Sequence, residues 1–214
     1  MISSNQRKIG RSIQKRLPKV QQTKEKLLQT ALELLETHFP ERITGDMVLE
    51  HSGVSRGSLY HHFVDVSDLL EQGLVHRFAA RVDANIAALS RAKAECRSAE
   101  QMYDQLCSLT DFTQAPENKR LRFVQARLIG FAEDNDRLIQ RLGVEQKRLT
   151  DAIADLFGNA QEKGWLNNTF NPHTAALFVQ AYTLGRVIDD VSLVHVDPDE
   201  WNAFIKRVVK MVFC

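Results

Sequence analysis

Thr44-Gly45-Asp46-Met47-Val48-Leu49-Glu50-His51-Ser52-Gly53-Val54-Ser55-Arg56-Gly57-Ser58-Leu59-Tyr60-His61-His62-Phe63 is the stretch on which the fold turns: two short helical segments about a glycine. Thr44 offers a hydroxyl to the first backbone N–H groups of one segment, and Ser55 does the same for the next. Gly53 takes the left-handed backbone angles of a tight turn, and Val54 follows as a small apolar plug between the two helices. Leu59 and Phe63, four residues apart, anchor the second helix on one side. The pattern predicts a helix-turn-helix. The leading end of its second helix, Ser55-Arg56-Gly57-Ser58, is small or hydrogen-bonding, so the backbone can approach another surface closely. A helix N-terminus favours a phosphate there, and Arg56 suits a guanine edge or a phosphate equally.

The flanking sequence extends this helical reading in both directions. From Thr23, Leu27, Leu28, Ala31, Leu32, Leu34, Leu35 and Phe39 recur at the spacing of one buried face, and Pro40 ends the run. Asp65, with Asp68 three residues on, opens a fourth helix striped by Val66, Leu69, Leu70, Leu74, Phe78, Val82, Ile86 and Leu89. The polar stretch Arg91 to Arg97 closes it, and Ser98 with Gln101 forms a capping box for a fifth. Pro116 marks a loop before a sixth helix over 118–132. Asp134 or Asn135 starts a seventh, which ends at Lys163 before Gly164, with Gly143 as a point where it breaks. Pro172 and Pro198 stand in the first turns of an eighth and a ninth, where a missing N–H does no harm. No segment alternates with period two, so no sheet is expected, and the fold class is all-α with about nine helices.

Charge is divided along the chain. Residues 1–62 carry ten Lys/Arg against six Asp/Glu, a net +4, while the remainder is net −3. A basic front on a mildly acidic body suits a polyanion partner at the front only. Residues 1–22, with Pro18 interrupting any helix, read as a basic flexible arm. Three cysteines, Cys96, Cys107 and Cys214, are too few and too irregular for a disulfide framework, consistent with a reduced, cytoplasmic setting. The sequence has no secretory leader and no apolar run long enough to span a bilayer, so no membrane partner is expected. His61 and His62 are adjacent and point about 100° apart on a helix, a poor arrangement for one ion. Neither a Gly-rich phosphate loop nor a nucleophile elbow nor a zinc-protease helix is present. No metal, no cofactor and no enzymatic activity are therefore expected.

Gly53-Val54-Ser55-Arg56-Gly57-Ser58-Leu59-Tyr60-His61-His62-Phe63 resembles the recognition-helix signature of tetracycline-repressor-type (TetR) regulators, and the likeness extends over about residues 23–75. It implies that Thr44 caps the second helix and touches phosphate. It implies that Ser55, Arg56 and Ser58 face the major groove, that Gly57 allows close approach, and that Tyr60 and His61 reach backbone phosphates. Two residues depart from the pattern. Val66 stands where the family usually has a phosphate-binding lysine, and Leu49 where a small alanine is usual. Residues 23–66 are then a helix-turn-helix DNA-binding domain and 67–214 an effector-binding and dimerisation domain.

The resemblance further implies a homodimer on a palindromic double-stranded operator, controlled by a small, mostly apolar effector, with repression as the usual mode. For the effector site the candidates are Tyr103, Leu106, Phe123, Arg127, Phe131, Phe178 and Tyr182, with Phe112 beside them and Arg127 offered to an acidic ligand group. Aromatics at helical spacing also serve as plain core. For the dimer face the candidates are Ala176, Val179, Leu184 and Ile188 on the eighth helix, with Trp201, Phe204 and Val208 on the ninth. The alternative is a helical small-molecule-binding or interaction protein that kept the reader but lost DNA binding, a reading to which Val66 lends support.

Overall fold

A computed structural model describes residues 19–211 and 213. The greater part of the proposed basic arm, residues 1–18, lies outside the described residues. Among the described residues the chain is helical with no strand, apart from a single bridge between Leu166 and Phe213. The helices are α1 (Lys19–Thr37), α2 (Gly45–Ser52), α3 (Arg56–His62), α4 (Val66–Glu95), α5 (Ala99–Gln114), α6 (Lys119–Ala132), α7 (Asp136–Glu162), α8 (Pro172–Gly185), the one-turn α9 (Val187–Asp190) and α10 (Pro198–Lys210). Short 3-10 turns at Pro40–Arg42 and Pro116–Asn118 follow α1 and α5.

Helix starts follow side-chain chemistry. Thr44 Oγ1 accepts from Met47 N at 3.3 Å, Ser55 Oγ from Ser58 N at 3.2 Å, and Ser98 Oγ from Gln101 N at 3.2 Å. Asp65 Oδ1 accepts from Asp68 N at 2.6 Å while Asp68 Oδ2 takes Val64 N at 3.1 Å, so the box at the start of α4 closes one residue further out than the simplest pattern. Asn135, rather than Asp134, caps α7, its Oδ1 accepting from Leu138 N at 2.9 Å. Each such cap is worth about 1 kcal/mol.

Several expectations are corrected. Residues 19–22, assigned to the arm, are helical and belong to α1. Phe39 lies beyond α1 and is 43% exposed, because the helix ends at Thr37 and Phe39 precedes the Pro40 turn. Gly143 does not break α7: the helix runs through it, held by Leu138 on one side and Leu149, Ile153 and Leu156 on the other, all buried. One glycine's cost of about 1 kcal/mol is small against that burial. Ile188, assigned to the eighth helix, belongs to the separate turn α9, because α8 ends at Gly185.

The chain divides into two compact units at Phe78/Ala79, inside α4. In the first, α1 packs on α2 and α3 around Leu27, Ala31, Leu34, Val48, Leu59, Phe63, Leu69 and Leu70. In the second, α7 lies along α8, α10 along α5, and α9 against α6. Its core holds Met102, Leu138, Leu149, Ile153, Leu156, Phe157, Leu166, Ala176 and Ile205. A buried ion pair joins α6 to α9: Arg122 Nε and Nη2 donate to Asp190 at 2.6 and 2.8 Å, and Arg122 Nη1 donates to the carbonyls of Thr113 and Ala115. No helix among the described residues is long and apolar enough to cross a membrane.

Candidate nucleic-acid interface

The turn between α2 and α3 is built as a reader requires. Gly53 has φ +61°, and its N–H donates to Leu49 O at 2.8 Å, closing α2. An alanine there would carry a strained left-handed backbone. Ser52, buried, accepts from Val54 N at 3.2 Å through its Oγ and so fixes the exit from the turn. Leu59 and Phe63 are 1% and 2% exposed, and they seat α3 by one face.

The opposite face of α3 is open. Ser55, Arg56, Gly57, Tyr60 and His61 are exposed, Ser58 is half-buried, and Thr44 is exposed at the head of α2. The Ser55 hydroxyl also lies 2.9 Å from that of Ser58, which ties the leading turn together. Nothing lies within 4 Å of where a Cβ at Gly57 would stand. Gly57 is therefore not required by internal packing. We expect Gly57→Ala to raise stability by about 0.5–1 kcal/mol through helix propensity while weakening DNA binding. A chemical-denaturation curve and an operator titration on the same sample check both signs. An unchanged operator affinity would remove Gly57 from the interface.

Two residues that the sequence reading did not assign bear on this surface. Asp46 Oδ1 accepts from Arg56 Nη2 at 2.5 Å, joining the first turn of α2 to that of α3, with both side chains well exposed. An exposed pair contributes at most about 1 kcal/mol, so Arg56 can exchange it for a base or phosphate. Lys24 on α1 places its ammonium 5.6 Å from the Phe63 ring centroid. A groove of about 430 Å³ lies between the start of α1 and α3, lined by Val20, Thr23, Gly57, Ser58, His61 and His62. In it His62 is held below the ordinary imidazole pKa, first by burial and then by the charges of His61 and Lys24. Asp46 was missed because its partner is ten residues away in sequence, across the turn.

The Val66 departure has a packing counterpart. A Cβ at Gly45 would lie 3.1 Å from Val66 Cγ2, so the apolar side chain closes on the bare backbone at the start of α2. Leu49 is half-buried while its neighbour Val48 is fully buried, so α2 is seated through Val48.

Residues 27–72 match the family model described as bacterial regulatory proteins, tetR family. The reader at the front of the chain is thus of the tetR-family type. That match covers the N-terminal reader. For the whole chain, solved structures supply a likeness of fold. A Mesorhizobium loti protein assigned to TetR-family transcriptional regulators superposes with a TM-score of 0.69 at 12% identity, over 91% of this chain and 96% of that one. Salmonella enterica GusR gives 0.68 at 18% identity, over 92% and 98%. A transcriptional regulator from Saccharomonospora viridis, solved in complex with choline, gives 0.64 at 16% identity, over 87% and 95%. No curated protein matches the chain in sequence.

In the second unit the effector candidates lie on α5, α6 and α8. Tyr103 turns toward α10, its hydroxyl donating to Lys206 O at 3.4 Å and its ring edge-on to Phe213. Tyr182 instead meets Thr110, hydroxyl to hydroxyl at 3.1 Å, with Phe178 5.6 Å away ring to ring. Burial raises the Tyr182 phenol pKa, so it stays protonated. Leu106, Phe123 and Phe131 are half-buried, Lys119 sits over the Phe123 ring, and Arg127 is exposed on α6. Phe112 is 67% exposed, so it stands outside any interior lining.

Of the dimer candidates, Ala176 is fully buried within its own chain and has no surface to offer, which removes it from that face. Val179, Leu184, Trp201 and Val208 are half-buried, whereas Ile188 and Phe204 are strongly exposed. Leu177 and Phe178 are exposed with them, and in the connection before α10 Leu193 and Val194 are almost wholly so. That connection has a fixed shape: His195 Nδ1 lies 2.8 Å from Asp189 O, and Val196 N donates to Asp189 Oδ1 at 2.9 Å. A short loop of valines and a leucine gives no helical period, which is why this apolar surface escaped the sequence reading.

Proposed function

We propose that this chain is a homodimeric, sequence-specific transcriptional repressor that reads a palindromic double-stranded operator with one α3 per half-site and responds to a small, mostly apolar effector. Residues 23–66 act as the DNA-binding domain and 67–214 as the effector-binding and dimerisation domain. The observation that carries the reading is the division of α3 into a buried side, Leu59 and Phe63, and an exposed side, Arg56, Gly57, Tyr60 and His61. A helix seated by two apolar residues and open at its N-terminal edge is the geometry that enters a major groove. Ser55, Arg56 and Ser58 face base edges, while Thr44, Tyr60 and His61 meet phosphates. The basic front of the chain adds salt-sensitive attraction.

The effector reading is supported by the tetR-family match at residues 27–72 and by the choline in the similar structure from Saccharomonospora viridis. An effector that prefers a dimer with a different reader separation weakens DNA binding by linkage. The test is a fluorescence-anisotropy titration of the DNA upstream of the chain's own gene with wild type and Arg56→Ala. The variant loses about 1–3 kcal/mol of binding to the preferred site and discriminates less at one base position. Its melting temperature is unchanged, since the Asp46 contact is exposed. Wild-type protein that binds no DNA at low salt would instead favour the interaction-protein alternative.

A further inference from the structure

We infer that Arg186 and Gln114 form the polar end of a small-molecule site against Trp201, and that its ligand carries a carboxylate on an apolar body. The inference deepens the effector reading above and rests on it only for the consequence at the operator.

Arg186 is 4% exposed, yet its Nε and Nη1 have no hydrogen-bond partner, and its Nη2 reaches Asp189 only at 3.5 Å. Gln114 is 1% exposed; its Oε1 accepts from Trp201 Nε1 at 2.9 Å, and its Nε2 has no partner. The Arg186 guanidinium carbon lies 5.4 Å from the Trp201 ring centroid. Gln114, at the end of α5, and Arg186, at the junction of α8 and α9, thus bring unmet donors to one indole.

Among the described residues, only Asp189 Oδ2 of the carboxylate oxygens nearby faces Arg186, at 3.5 Å from Nη2. Both Asp190 oxygens accept from Arg122, and Asp189 Oδ1 accepts from Val196 N. The contrast with Arg122, whose donors are met by Asp190 and two carbonyls, shows what a purely structural buried arginine looks like in this fold.

Buried polar atoms are normally satisfied, so an unmet set calls for a missing partner. Among the described residues the unmet buried atoms are three nitrogens, on Gln114 and Arg186, and one oxygen, Asn202 Oδ1. The missing partner is therefore chiefly an acceptor. A guanidinium offers only donors and carries positive charge, so the acceptor that matches it best is an anion. The indole supplies a flat apolar wall for the body of the ligand. Arg127, the sequence candidate for an acidic group, is exposed on α6 and lacks such a setting.

The test uses the full chain with benzoate and octanoate as probes and benzamide and octanamide as their uncharged counterparts, read by melting temperature and calorimetric titration. The carboxylates raise the melting temperature saturably and the amides do not. Gln114→Met removes an unmet donor together with the acceptor of Trp201 Nε1; with helicity checked by circular dichroism, it raises the benzoate dissociation constant about tenfold, the factor expected for one charge-assisted hydrogen bond. Arg186→Met abolishes saturable binding, and Arg127→Ala leaves it as in wild type. The inference is overturned if neither carboxylate saturates, which would leave bound water only. It is equally overturned if the amides match the acids, or if Gln114→Met binds benzoate as wild type does. Operator affinity is measured on the same samples. Benzoate binding that leaves operator affinity unchanged keeps the site and removes the effector reading. Operator release by another compound with no carboxylate binding does the reverse.

Discussion

Asp190→Ala is expected to lower the melting temperature by roughly 10 °C, the effect of about 3–5 kcal/mol in a chain of this size. Asp190 is 8% exposed and receives two donors from Arg122, itself 4% exposed. Removing the carboxylate leaves a buried guanidinium with half its hydrogen bonds, and that uncompensated charge sets the magnitude. The pair itself contributes far less, because both ions were desolvated to form it. Replacing both, Arg122→Met with Asp190→Leu, therefore recovers much of the loss. The hydrogen bond from Arg122 holds the Asp190 carboxyl below its ordinary pKa, against the opposing effect of burial. Its folded value thus lies below its unfolded one. The stabilisation is fully present above the unfolded carboxylate value and is lost as pH falls through the folded one. Thermal melts across an acid series, for wild type and for the double replacement, check this. Wild type should lose stability toward low pH more steeply than the variant without the pair, and parallel curves would refute the linkage.

Ile188→Asp combined with Leu193→Asp is expected to convert the protein to monomers and to reduce operator affinity by about two to four orders of magnitude, the gain that a linked second half-site confers. The two side chains are 75% and 101% exposed within one chain, so an aspartate at either place costs the isolated fold little. Leu177, Phe178, Val194 and Phe204 are exposed as well. Large apolar side chains left this exposed mark an interaction site, and a two-fold pairing would cover them with their own copy. Sedimentation equilibrium gives the mass, circular dichroism establishes that the helices persist, and the anisotropy titration gives the affinity. A variant that stays dimeric with undiminished operator binding would place the twin elsewhere.

The helix order was legible in the sequence because caps and apolar periods are local. Thr44, Ser55, Ser98, Pro172 and Pro198 each mark a start through an atom within a few residues of the backbone group it serves or, for proline, through a missing N–H. The reader was legible for the same reason: Gly53, Leu59 and Phe63 act over one turn of helix. Boundaries held less well where neighbouring packing decides them, as at Gly143, which α7 absorbs.

The composition of the chain, read by itself, determined an all-helical protein with a helix-turn-helix near its front, since hydrogen bonds to near neighbours and a 3.6-residue period leave their mark on every turn. Tertiary structure alone decided the long-range partnerships: Asp46 with Arg56, Val66 over Gly45, Arg122 with Asp190, and Gln114 and Arg186 on Trp201. It also decided which apolar residues are spent inside, as Ala176 is, and which stay outside, as Leu193 does. Those pairings join residues from ten to nearly ninety positions apart, and no periodicity along a chain records which of its distant faces will meet.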